Sequence, residues 1–93
     1  MEVLSLDKVI DNLEYVKTIN DRMNASLYLT NLLPSIRISA TALGYMYSFV
    51  LESIKLIIDT INNEECIIKY NDVKDAIDGV IKVLRHITRD SQE

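Results

Sequence analysis

Ile36, Ala40, Leu43, Tyr47, Val50, Ile54, Ile57 and Ile61 recur in strictly alternating steps of four and three residues. A strand repeats its faces every two residues, so only a helix gathers these side chains onto one stripe. The stripe runs for almost four heptads, the pattern of a helix packed lengthwise against neighbours. Helix breakers are scarce: the chain has one Pro and two Gly. Long helices with short connections follow, and the predicted fold class is all-α.

The spacing predicts three helices within a single domain spanning residues 1–93. The first covers about 6–32. Ser5 is placed to cap it, and Leu4 with Val9 has the spacing of a hydrophobic staple. Its apolar stripe is Leu6, Val9, Leu13, Val16, Met23 and Leu27, widened by Ile10 and Ile19. Asn24-Ala25-Ser26 is its weak point, and Pro34 ends it, because a proline ring disfavours helical geometry in the preceding residue. The second helix covers about 36–61 and ends at Asn62-Asn63. A linker, Glu64 to Tyr70, follows, with Cys66, Ile67 and Ile68 tucked against the core. The third helix covers about 73–88, capped by Asn71 or Asp72, with the seam Val73, Ile77, Val80, Leu84 and Ile87. Asp78 and Lys82 form a favourable pair one turn apart. The expected architecture is an up-down three-helix bundle in which helices 1 and 2 form a long hairpin and helix 3 is short.

Charge is unevenly spread. From Met23 to Leu51 only Arg37 is charged, although the chain carries 24 charged residues and a net charge of −4. The mean hydropathy is +0.09, high for a small domain with much surface for its volume. A second apolar stripe on helix 2 holds Ile38, Ala42, Tyr45, Phe49 and Leu56, with Met46 between it and the first. A short third helix would leave the turn around Pro34 uncovered. These points predict burial of that region against another chain, most simply a second copy in a homodimer that forms a larger helical bundle. The expected interface residues are Leu27, Leu32, Ile38, Tyr45, Met46 and Phe49.

Chemistry is weakly signalled. One Cys and one His, Cys66 and His86, offer no paired metal ligands, and no cofactor or metal is expected. No serine has a glycine elbow or a histidine nearby, and Gly44 and Gly79 are too far apart for a phosphate loop. A non-enzymatic protein is expected. The lone cysteine and an acidic N-terminus unlike a signal peptide predict a cytoplasmic protein. Many polar residues and too short an uncharged run argue against membrane insertion. The function read from these features is a small protein–protein interaction module, either a homodimer or an accessory or regulatory subunit of a larger complex. The alternative is a nucleic-acid-associated protein using Lys82, Arg85 and Arg89, a basic stripe on helix 3 that would meet phosphates or an acidic partner.

Overall fold

The computed structural model describes residues 3–44, 46–62 and 70–91, with the side chains of residues 43, 46, 70, 71 and 89–91 outside the description. The described residues form four helices: α1 (Leu6–Lys17), α2 (Arg22–Leu43), α3 (Met46–Asn62) and α4 (Tyr70–Ser91). The all-helical class is as the heptad spacing predicts. The count of three is corrected to four, and each boundary has a local cause.

Ser5 opens α1, its hydroxyl accepting the Lys8 N–H at 3.2 Å. The long first helix then breaks earlier than Asn24, with α1 ending at Lys17. The Thr18 and Ile19 N–H groups turn back onto the carbonyls of Tyr15 and Val16. Asp21 restarts the helix in extended geometry, its carboxylate accepting from the N–H groups of Met23 and Asn24. Asn24-Ala25-Ser26 therefore lies inside α2.

Pro34 does not end a helix; it lies within α2. Its ring deprives the Thr30 carbonyl of a helical donor, a cost of about 3 kcal/mol in an ordinary helix interior. Two circumstances offset it. Thr30 is exposed, so water can reach that carbonyl. On either side of the proline, Ala25, Leu29 and Leu32 and then Ile36 and Ser39 are buried along one line, which holds the two halves in register. The stop comes at Gly44, whose φ of 111° suits a residue without Cβ.

The heptad seam survives this cut. Ile36, Tyr47, Val50, Ile54, Ile57 and Ile61 all enter the core, although Ile36 belongs to α2 and the rest to α3. α3 ends at Asn62, as expected. The expected linker and its Cys66, Ile67 and Ile68 lie outside the described residues, except Tyr70, which begins α4. Asn71 and Asp72 are thus inside the helix rather than capping it. The α4 seam includes Ile81 as well as Val73, Ile77 and Leu84.

The helices run up, down, up and down. The Leu4 N–H donates to Ser39 Oγ at 2.8 Å, placing the start of α1 beside the end of α2. The Arg22 guanidinium donates to the Ile61 carbonyl at 3.0 Å, placing the start of α2 beside the end of α3. Ion pairs Lys17–Asp78 and Arg85–Glu14, both short, lay α4 antiparallel to α1. The most extensive packing is α2 on α3, then α1 on α4; α3 on α4 is lighter, and α1 on α2 lighter again. α4 is longer than expected, and α1 fills the place left open in a three-helix reading. The turn predicted to lie uncovered at Pro34 is instead a helix with its inner side in the core.

Candidate functional site

The break at Thr18–Asp21 resets the helical phase. Ala25, Leu29, Leu32, Ile36 and Ser39 become the buried line of α2. Met23 and Leu27, expected to continue the α1 stripe inward, turn outward instead and are 81% and 60% exposed. At 3.6 residues per turn, Asn24, Leu27, Asn31, Pro34, Ile38 and Thr41 fall roughly 150° from the buried line. All are exposed except Pro34, which is half-buried. Their steps of three and four residues repeat the spacing of a packed seam on the side that faces solvent. Arg37, beside that line, is the single charge between Met23 and Leu43.

Because α1 leans only lightly on α2, an open groove of about 420 Å³ lies between them. Tyr15, Ile19, Asn24, Leu27, Tyr28 and Asn31 line it, and none is charged. The Tyr15 and Tyr28 rings meet at 5.0 Å, tilted by 49°. The Tyr28 hydroxyl donates to Asn12 Oδ1, and the Asn12 amide donates onward to the Lys8 carbonyl. Burial, helped by Tyr15, raises the Tyr28 phenol above its ordinary pKa. Tyr47 is raised likewise, by burial and then by Asp7.

The expected interface residues do not gather on one face. Leu27 and Ile38 lie on the outer line of α2. Leu32 is 9% exposed and belongs to the chain's own core. Phe49 is 46% exposed on α3. It lies two turns from Leu56, which lines a separate apolar groove with Ile57, Thr60, Asp72, Val73 and Ala76 between α3 and α4. Tyr45 and the side chain of Met46 lie outside the described residues.

The expected basic stripe is engaged within the chain. Lys82 pairs with Asp78 at 3.1 Å, and Arg85 with Glu14 at 2.9 Å. Lys17 bridges Asp78 and Glu14 at 2.8 and 3.4 Å, joining the pairs into one cluster across α1 and α4. Hydrogen bonds from Lys17 and then Lys82 hold the Asp78 carboxyl below the usual carboxylate range; Asp78 in turn raises Lys17. The Arg89 side chain lies outside the described residues. Among the described residues no group of three or more His, Cys, Asp or Glu is placed to hold a metal ion. Among them, too, no helix is long and apolar enough to cross a membrane.

Comparison with protein-family models finds no match, and no curated protein or solved structure matches the chain. The site therefore rests on its own geometry. Sequence reasoning missed Met23 and the Tyr15–Tyr28 groove because it extended one stripe through Asn20-Asp21. The available signal was the polar cluster Thr18, Asn20 and Asp21, a turn and cap composition.

Proposed function

We propose that this chain is a non-enzymatic interaction module that docks through the outer face of α2. The observation that supports the reading is the exposed line Asn24, Leu27, Asn31, Ile38 and Thr41, flanked by Met23 and nearly free of charge. A helix face in water normally carries charged residues opposite its apolar stripe. An uncharged face burdens solubility when bare and loses little when covered, because no ion has to be desolvated. The groove beside it adds two tyrosine rings, a residue type enriched where one side of a ring is covered and the hydroxyl stays at the rim. The expected protein is a cytoplasmic one, since its single cysteine fits a reducing compartment.

Lys82 and Arg85 are already engaged by Asp78 and Glu14, so no observation favours the phosphate-binding reading.

The test is a photo-crosslinking residue placed at Leu27 or, as control, at Val83, an exposed apolar position on α4. Each variant is expressed in the native host and irradiated. A discrete adduct from position 27 and none from position 83 is expected. Equal yields from the two positions, or no adduct from 27, contradict the proposal.

A further inference from the structure

We infer that the occupant of the outer face of α2 is the same face of a second copy of this chain, packed antiparallel about a two-fold axis. The inference rests on reading that face as a docking surface and identifies its partner by charge. The chain is acidic, with net charge −4, so two copies repel wherever carboxylates face each other. The outward sides of α1, α3 and α4 carry Asp7 and Asp11, Glu52 and Asp59, and Asp72 and Asp75, all exposed. Between Met23 and Leu43 the α2 face carries no acidic residue. It is the helix face along which two copies meet without opposing carboxylates.

Its polar groups also suit self-pairing. Asn24 and Asn31 present amides, which donate and accept and carry no charge, so neither brings an ion that a seam between copies would have to desolvate. The alternating spacing of Asn24, Leu27, Asn31, Pro34 and Ile38 is what two helices need to interlock along a seam. In an antiparallel pair of such seams, Leu27 lies across from the partner's Asn31 and Asn24 across from the partner's Pro34. The axis then passes at the level of Leu29. This arrangement separates the two copies of Arg37 by about 24 Å along the helix, whereas a parallel pair would set them side by side. Asparagines within an apolar seam fix register at some cost in affinity, so the pairing should be specific and moderate in strength.

The experiment is sedimentation equilibrium of the full chain, with Cys66→Ser as background, followed by disulfide mapping. The expected mass is twice 10.7 kDa, falling to 10.7 kDa in Leu27→Glu with helical circular dichroism unchanged. Asn31→Asp, a near-isosteric change at an exposed position, should weaken the dimer tenfold or more. Mixing Leu27→Cys with Asn31→Cys chains under oxidation should give a disulfide-linked pair faster than either variant alone. A 10.7 kDa wild-type species at concentrations near 1 mM overturns the inference. The docking reading would then stand or fall on the in-cell adduct, whose mass would exceed or differ from that of two chains. A dimer indifferent to Leu27→Glu and Asn31→Asp overturns the inference as well, and again leaves the docking reading to the adduct at position 27.

Discussion

α2 and α4 are each 22 residues long, yet α2 carries two charged residues and α4 carries eight. Both bury one side in the same core. They differ on the other side. α4 presents Asp72, Asp75, Lys82 and Arg85 to solvent, and its cations pair with carboxylates on α1 and on itself. α2 presents Met23, Asn24, Leu27, Thr30 and Asn31. The outer side of α4 is charged and that of α2 is nearly uncharged, the difference on which the proposed docking face rests. An average hydropathy conceals this: α2 exposes Met23, Leu27 and Ile38 with almost no charge around them, whereas exposed Phe49 and Leu56 on α3 and Val83 on α4 sit among charged neighbours.

Within α2 the inner and outer faces should respond differently to truncation. Leu29→Ala, at a wholly buried position, should lower unfolding free energy by about 2–5 kcal/mol in urea titration. Leu27→Ala, two residues away, should change it by no more than about 0.5 kcal/mol at concentrations where the chain is monomeric. Similar losses at the two positions would mean that Leu27 is part of the chain's own core.

Next in size is the tie between α1 and the end of α2. Ser39 is wholly buried, accepts from the Leu4 N–H and donates to the Ser35 carbonyl. Ser39→Ala leaves the Leu4 N–H without that partner and should cost about 1–3 kcal/mol, with faster hydrogen exchange at Leu4. Unchanged exchange there would remove the contact from the account.

Asp21 tests the boundary that created the outer face. As the cap of α2, its replacement by Ala should destabilise the chain by about 1 kcal/mol. In a continuous helix over 6–32 the same change would be neutral or stabilising, since Ala is the better helix former in an interior. The sign of the change decides between the two.

The smallest effect belongs to α4. Asp78 is held below its ordinary value of 3.8 by Lys17 and Lys82. Its contribution is therefore present above that value and lost as pH falls through the lower folded one. Lys17 is held above 10.5, so its contribution is present below that value and lost as pH rises through the folded one. Asp78→Asn should give a slight loss of stability at neutral pH, shrinking with added salt and vanishing in acid, where the wild-type carboxyl is also uncharged. A loss that persists in acid would assign Asp78 a packing role instead.

Much of this was legible in the sequence for stated reasons. Of the seam from Ile36 to Ile61, Ile36, Tyr47, Val50, Ile54, Ile57 and Ile61 are core residues, because burial follows periodicity even where the backbone breaks. Ser5 and the Asp78–Lys82 pair were legible because caps and one-turn pairs are local. The helix boundaries were less so. Pro34 carries a strong local signal that burial of Leu32 and Ile36 on either side outweighs. Gly44 looks like a small residue within a helix until its positive φ is known. The uncharged stretch was legible, but not which of its residues face outward: Leu32 shares the segment with Leu27 but points the opposite way. That direction depends on the phase reset at Asp21, which a pattern carried through from α1 cannot contain.

If the proposed pairing is right, the outer face of α2 is covered as the chain's concentration rises. Hydroxyl-radical footprinting across a dilution series reads this directly, because Met23 lies on that face and is 81% exposed in the single chain. Met23 oxidation should fall severalfold as concentration rises from nanomolar to near-millimolar, while Val83 on α4 changes little. Equal Met23 reactivity at both ends of the series would make the outer face of α2 ordinary solvent-facing surface and contradict the account.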